Sequence, residues 1–273
     1  PKVLVSEIET LRSAGIEISP TRLHISHAAH IVTPAYLALD KARERARGDD
    51  NIILPLRGIG PAYNHKAARS GLRMEDMLSV ERFAKEIMAQ IEATNDVLVE
   101  LYETEPLNAQ DATQEYADYA NQLAPYITNV SALLSDAIAG GENILAEGVQ
   151  GTLLDLDHGV YPFVSNSTTT AGGALTGLGL GVGSTRQVIG VCTAYQTHPG
   201  QGAFPTEIFE DKIIQQRGNG KNAGIQSEAP ARSARRFGWL DGVLLRYAVQ
   251  INGITELAIT QLSALSRPET LRI

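Results

Sequence analysis

Two short apolar runs constrain this chain more than anything else in it. They are Gln187 to Tyr195 (QVIGVCTAY) and Ile254 to Thr260 (ITELAIT), with a helical stretch, Leu240 to Val249, between them. Continuous apolar runs bounded by Gly or polar residues suit strands buried on both faces of a parallel sheet. Asn143 to Glu147 (NILAE) reads as a third strand of this kind. Strands alternating with helices predict an α/β fold with a mostly parallel central sheet flanked by helices, and ligands in such sheets sit beyond the carboxyl ends of the strands.

The first half reads as helical. Apolar residues from Val3 to Leu11 open the chain in a helical rhythm. A second helix is expected from Thr33 to Arg47, with Pro34 in its first turn and Gly48 as its stop. Met77, Val80, Phe83, Ile87, Ile91, Val97 and Leu101 recur at helical steps within Glu75 to Glu103, with a break near Thr94-Asn95. Another long helix is expected from Asp111 to Ala139, ending at Gly140-Gly141. With no repeat and no linker, residues 1–273 read as a single domain.

Composition narrows the function classes. A net charge of −8 argues against a general nucleic-acid or membrane-surface binder. The one cysteine, Cys192, cannot form an internal disulfide, and its apolar run marks it as a buried small residue rather than a nucleophile. No apolar run approaches the ~18–20 residues needed to span a bilayer, so a cytoplasmic protein is expected. The chain opens at Pro1 without an initiator methionine and stops at Ile273 without a closing element. It therefore reads as a fragment of something longer.

Three segments carry more punctuation than scaffold needs. Arg57-Gly58-Ile59-Gly60-Pro61-Ala62-Tyr63 leads to Lys66, Arg69 and Arg73, whose spacing suits either a phosphate or a solvated loop. Glu147 to Gly159 begins where the third expected strand ends. Its Asp155, Asp157 and His158 read as turn caps sooner than as metal ligands. Ser165 to Gly173 (SNSTTTAGG) offers hydroxyls and amides either to an anion at a helix N-terminus or to ordinary capping. His24, His27 and His30 stand three apart, but no Cys or carboxylate is close enough to complete a zinc set. Gly177 to Gly181 (GLGLG) lacks the preceding strand of a dinucleotide loop, so close packing is the better reading.

Taken in order, five blocks resemble the adenylosuccinate synthetase family. They are RGIGPAYNHKAARSGLR (Arg57 to Arg73), AEGVQGTLLDLDHGVYPFV (Ala146 to Val164), TTAGG (Thr169 to Gly173), GQGAFPTE (Gly200 to Glu207) and RRFGWLD (Arg235 to Asp241). The resemblance spans nearly the whole chain and implies a P-loop-NTPase-like fold. It also implies a ligase that joins IMP to L-aspartate. GTP phosphorylates the 6-oxygen of IMP, and the aspartate amine then displaces that phosphate with Mg²⁺ assisting. By this resemblance Arg69 binds the IMP phosphate across a homodimer interface, and Lys66 lies in the same catalytic signature. Gln150 holds the nucleotide, and Ser165 stands where the family carries a threonine for the same phosphate. Arg232 and Arg235 belong to the aspartate and nucleotide loop. The family's Gly-rich phosphate loop, catalytic aspartate and catalytic histidine lie outside this chain.

Four departures qualify the match. Leu54-Pro55-Leu56 replaces a Thr-Thr-Gly turn, and Pro55 offers neither hydroxyl nor N–H to a phosphate. Ser233 stands where the first arginine of the aspartate loop is expected, leaving that role to Arg232. His198-Pro199 replaces an Arg-Val pair. Thr260-Gln261-Leu262-Ser263 replaces Thr-Lys-Leu-Asp, whose carboxylate accepts from the guanine edge. A serine at 263 leaves guanine donors unpaired, at about 1–3 kcal/mol. The resemblance therefore predicts adenylosuccinate synthesis with weakened guanine preference. Its alternatives are a paralogue using ATP, another amine or another purine nucleotide, such as the dGMP of the phage branch, and a non-catalytic nucleotide binder.

Overall fold

Thr33 fixes the start of α2 (Pro34–Arg47), its hydroxyl accepting from the Tyr36 N–H at 3.4 Å, and Gly48 ends it with φ 58°. In the computed structural model, which describes residues 1–48, 56–198, 202–208 and 236–265, the chain divides into two units.

The first unit comprises residues 1–48, 56–144 and 178–180. Around α2 it holds α1 (Lys2–Ser13), β1 (Ile25–Ser26), α3 (Ile59–Ala68), α4 (Val80–Glu100), α5 (Ala109–Leu123), β2 (Ile127–Thr128) and α6 (Val130–Ala139). Val5, Ile31, Met77, Phe83, Ile87, Ile91 and Leu123 form its buried core. Full burial of each such side chain contributes about 1.5–3 kcal/mol.

Two helical expectations needed correction here. The break read at Thr94-Asn95 does not interrupt α4, because Asn95 turns its amide onto the next segment. It donates to the Leu107 carbonyl at 2.9 Å and accepts the Leu107 N–H at 2.8 Å. The single helix expected from Asp111 to Ala139 is two. Pro125 sits in a short 3₁₀ turn after α5, β2 follows, and Asn129 then caps a new helix by accepting from the Ala132 N–H. The expected left-handed stop falls on Gly141, at φ 83°.

Of the glycines from Gly177 to Gly181, Gly179 shows the expected close packing, while Gly177 and Gly181 face open space. Gly179 has φ 69°, and a Cβ there would lie 2.0 Å from the Ser131 Oγ of α6. The Ser131 hydroxyl donates to the Leu178 carbonyl.

The second unit comprises residues 145–177, 181–198, 202–208 and 236–265. It contains α7 (Ala171–Leu178, whose last residue belongs with the first unit), β3 (Ile189–Thr193), β4 (Tyr195–His198), β5 (Arg236–Trp239), α8 (Gly242–Asn252) and β6 (Glu256–Thr260). β3 and β6 pair in parallel, from Ile189 with Glu256 to Thr193 with Thr260, and β4 and β5 pair antiparallel. The expected α/β class with parallel pairing is present, and its described strands pair two by two.

Ile189 and Val191 on β3, and Leu257 and Ile259 on β6, are exposed on both faces of their ladder. Cys192, expected to be buried, is half-buried beside Ile259; partial burial pushes its thiol above the ordinary range. Asn143 to Glu147 is no strand. No ladder among the described residues pairs with it, and Leu145 is 90% exposed. An extended run without a neighbouring strand has no partner for its backbone hydrogen bonds.

Gly58 positions α3 in the first unit. It has φ 73° and donates its N–H to the Asp40 carboxylate at 2.9 Å. A Cβ there would meet Val32 Cγ1 at 2.8 Å and the Tyr36–Leu37 backbone at 3.1 Å. Gly58→Ala is therefore expected to cost about 1–3 kcal/mol of stability. A lowered urea midpoint at unchanged slope would check it.

Candidate active site

Three kinds of group recur in the predicted site: cations after Arg57, neutral donors around Gln150, and the turn after β6. The structure builds each differently.

The cations cluster where α3 ends. Arg69 is its C-cap, held left-handed at φ 62°, and its N–H bonds back to the Lys66 carbonyl. Ser70 closes the turn through its N–H to the His65 carbonyl and its Oγ, 2.9 Å from His65 Nδ1. The Arg69 and Lys66 side chains are exposed, and Lys66 Nζ lies 5.4 Å from the Tyr63 ring centroid. Arg69 has no side-chain partner among the described residues. It borders an open cleft of about 810 Å³ whose lining includes Leu39, Arg43, His65, Gln90 and Val97.

Arg73 is tied down, donating to the Ala28 carbonyl at 3.2 Å and pairing with Glu75 at 3.2 Å. His30 feels this positive field. Burial first, then Lys66 and Arg73, push its imidazolium pKa below the ordinary value. His65 shifts the same way, by burial and Arg43. The 57–73 block thus forms a cationic patch suited to an anion.

In the second unit one buried carboxylate organises the block after Gly148. Asp155 is 0% exposed. Its Oδ1 accepts the N–H groups of Asp157 and His158, both at 3.0 Å. Its Oδ2 accepts those of Thr169 and Thr170, at 2.7 and 3.3 Å. Burial raises its pKa, but the four N–H donors outweigh burial and hold it below the ordinary carboxylate range.

The two loops are sewn further. The Thr169 hydroxyl donates to the Gly151 carbonyl, and the Ser165 N–H and hydroxyl donate to the Leu154 carbonyl. Asn252, at the end of α8, accepts the Ala171 N–H at 2.8 Å and donates to the Thr152 hydroxyl at 2.8 Å. The Ala171 and Gly173 N–H groups at the start of α7 are therefore occupied, by Asn252 and by the Thr170 carbonyl. The hydroxyls of Ser165 and Thr169 bind loop carbonyls, and the first N–H of α7 is capped by Asn252 from outside the segment.

This scaffold joins Gln150 to Ser165. The Ser167 hydroxyl lies 2.9 Å from the Ser165 hydroxyl and donates to Gln150 Oε1 at 3.1 Å. With its oxygen engaged, Gln150 leaves its amide N–H₂ without a partner among the described residues. Gln150 is exposed and left-handed at φ 70°, a strained backbone of the kind that clusters at ligand sites.

After β6, Gln261 also adopts a positive φ, 56°, and its Oε1 accepts the Tyr195 hydroxyl at 2.5 Å. Ser263 is exposed on the following turn. Pro55, Pro199, Arg232, Ser233 and Arg235 lie outside the described residues. Their neighbour Arg236 is engaged by Glu207 through both carboxylate oxygens, at 2.9 and 2.5 Å, which holds the Glu207 carboxyl below its usual range.

The structure thus joins Gln150 with Ser165 and sets Gln261 on Tyr195. Lys66 and Arg69 belong to the first unit, and Gln150, Ser165, Gln261 and Ser263 to the second. Asn252 was missed by the sequence reading because it falls at an unremarkable helix end. Gly253 in the left-handed region just after it was the available signal.

The family model for adenylosuccinate synthetase matches residues 1–273. The chain belongs to the adenylosuccinate synthetase family. Curated members of that family are similar over all of this chain. The adenylosuccinate synthetase of Desulfosudis oleivorans is 42% identical, with 63% of its own length covered. That of Lactococcus lactis subsp. lactis is 40% identical with 62% covered, and that of Carboxydothermus hydrogenoformans 42% with 62%. The chain thus spans under two thirds of the family members it matches. Among solved structures, the fully ligated adenylosuccinate synthetase of Plasmodium falciparum superposes with a TM-score of 0.86 at 29% identity, over 98% of this chain and 61% of that one. The cyanophage S-2L succinoaminodeoxyadenylate synthetase, bound to dGMP and dATP as an energy donor, shares the fold at TM-score 0.54 and 16% identity, over 92% of this chain and 62% of that one.

The family implies magnesium. Among the described residues no group of three or more His, Cys, Asp or Glu could hold a metal ion, and the three spaced histidines form none. Both oxygens of Asp155 are already taken by N–H donors. The described residues do not build a magnesium site by themselves, and no step below passes through one. No helix among them is long and apolar enough to cross a membrane.

A depressed carboxyl pKa makes its contribution to stability above the unfolded-state value near 3.9 and loses it as pH falls through the folded value. Asp155 therefore stabilises the second unit at neutral pH and ceases to do so in acid. Trp239, the single tryptophan, lies in that unit and provides the probe. Asp155→Asn is expected to lower stability at pH 7 by about 2 kcal/mol or more, because buried N–H donors lose an acceptor. The acid-induced loss below pH 4 should shrink in the variant, as followed by Trp239 fluorescence in urea.

Proposed function

We propose that this chain supplies the central part of an adenylosuccinate synthetase. In this reading it is a ligase that forms a C–N bond between IMP and L-aspartate in purine biosynthesis. The 6-oxygen of IMP attacks the γ-phosphoryl of GTP, releasing GDP and leaving a 6-phosphoryl nucleotide. The amine of aspartate then attacks C6, and phosphate leaves with the former oxygen. Phosphorylation is needed because an amide-like oxygen is a poor leaving group.

The observation that carries this reading is the Gln150–Ser167–Ser165 arrangement, inside a chain matched by the family model from end to end. The amide N–H₂ of Gln150 suits an acceptor oxygen of the nucleotide, and the Ser165 hydroxyl would reach its phosphate by exchanging the bond that it gives the Leu154 carbonyl. The exposed Arg69 guanidinium, without a partner among the described residues, suits a phosphate held by a second subunit, as a homodimer with shared sites requires. Lys66 adds positive charge beside it as phosphoryl moves. Arg232 and Arg235 are assigned to the aspartate and nucleotide loop, and Mg²⁺ to the phosphate donor. A cytoplasmic setting, where IMP, aspartate and GTP meet, goes with this role.

One observation favours a second reading of the phosphate donor alone. Gln261 and Ser263 place neutral groups where the resemblance calls for a lysine and an aspartate, and Tyr195 holds Gln261 in place. Neutral groups there weaken the case for guanine and open the site to ATP.

Turnover is expected when the full-length protein receives Mg²⁺, IMP, aspartate and GTP, with phosphate release as the readout. Absence of turnover with GTP, and then with ATP, would defeat the proposal. Ser263→Asp should raise the kcat/KM ratio for GTP over ATP by about tenfold, as one bidentate acceptance of 1–3 kcal/mol predicts. Arg69→Ala should abolish measurable IMP binding by calorimetry while leaving the fold intact; unchanged affinity would sink its assignment.

A further inference from the structure

We propose that Asp155, together with Asn252, is a positioning residue that sets the Gln150–Ser167–Ser165 arrangement for its nucleotide. The inference rests on the nucleotide role given to Gln150 above.

Residues 150–170 contain no element longer than a single 3₁₀ turn. Their conformation cannot be inherited from a ladder or a long helix. Asp155 supplies the missing template. One of its oxygens closes the turn at Asp157 and His158. The other reaches fourteen and fifteen residues along the chain to Thr169 and Thr170.

Between those anchor points the two strands of loop are held side by side. The Leu156 N–H reaches the Ser167 carbonyl at 3.3 Å, and the Ser165 N–H reaches the Leu154 carbonyl at 2.8 Å. Ser165 and Ser167 therefore owe their positions to their partners across the loop. Gln150 sits one residue before Gly151, whose carbonyl is clamped by the Thr169 hydroxyl at 2.7 Å. Asn252 fixes the same assembly from α8, through the Thr152 hydroxyl and the Ala171 N–H.

A carboxylate is the group this geometry demands. Four N–H donors converge on two oxygens, and an amide would turn an N–H₂ toward one pair of them. Asp155 is fully buried, so it touches no nucleotide; it acts on binding through the groups it holds. Displacing such a frame by about 1 Å costs up to 10²-fold in function.

The test is a thermodynamic cycle in the full-length protein, with IMP affinity read by calorimetry and folding by circular dichroism and Trp239 fluorescence. Gln150→Ala is expected to weaken IMP binding. Asp155→Asn is expected to weaken it about ten- to a hundredfold in protein that remains folded. The double variant should lose less than the product of the two single losses, because both act through one group. A purely structural role for Asp155 would give independent, multiplying losses and would overturn the inference.

Unchanged affinity in Gln150→Ala would overturn the nucleotide reading, and the inference with it. A weakened Gln150→Ala beside a folded Asp155→Asn of wild-type affinity would overturn the positioning role alone. If Asp155→Asn fails to fold, Asn252→Ala takes its place in the same cycle. It removes the Thr152 and Ala171 bonds and leaves the buried carboxylate satisfied. The same sub-multiplicative coupling to Gln150 is expected, and its absence would count against the proposal.

Discussion

A long irregular segment that carries a binding site faces one demand before any other: its backbone N–H and C=O groups need partners that no ladder supplies. In residues 150–170 a single buried carboxylate meets much of that demand. Asp155 accepts four backbone N–H groups from two stretches of loop, and hydroxyls of Ser165 and Thr169 bind carbonyls of the opposite stretch. The position of Gln150 and the spacing of Ser165 and Ser167 follow from this arrangement. A charge without opposite charge nearby is ordinarily costly to bury, and here backbone dipoles stabilise it.

The two units achieve order by different means. The first has a conventional apolar core, from Val5 to Leu123, and presents its cations on the exposed end of α3, where solvent tolerates like charges close together. The second has a small core around Tyr195 and Phe237, and relies on polar clamps. The Arg236–Glu207 pair, the Tyr195–Gln261 bond and the Asp155 hub each fix a loop or a strand end.

What could be read in the sequence depended on how local its cause was. Thr33, Pro34 and Gly48 punctuate α2 by steric and capping effects confined to a few residues, and they mark it correctly. The same reasoning passed over Pro125 and Asn129, because Ala and Leu on either side kept a helical rhythm going. Asn95 looked like a break because its partner, Leu107, is twelve residues away. NILAE satisfied every local test for a buried strand, yet a strand exists only beside another strand. In the site, the blocks around Gln150 and Ser165 were visible as dense punctuation, and capping by Asp155 was anticipated. The connection from Asp155 to Thr169, and Asn252 reaching Thr152, depend on separations of 14 and 100 residues, and no pattern within one segment encodes them.

The β3–β6 ladder has a consequence in time. Its partners stand 67 positions apart, as the Val188–Thr255 bond beside it does. A ribosome must therefore finish β4, β5 and α8 before β3 can meet its neighbour. The first unit's core is complete by Leu123, long before β6 is synthesised. During that interval β3 lacks the partner it has among the described residues, while the buried core residues of the first unit have already been made. In the order of synthesis the β3–β6 pairing is thus the last of the described strand pairings to become available. That last step brings the Gln261 turn to the hydroxyl of Tyr195.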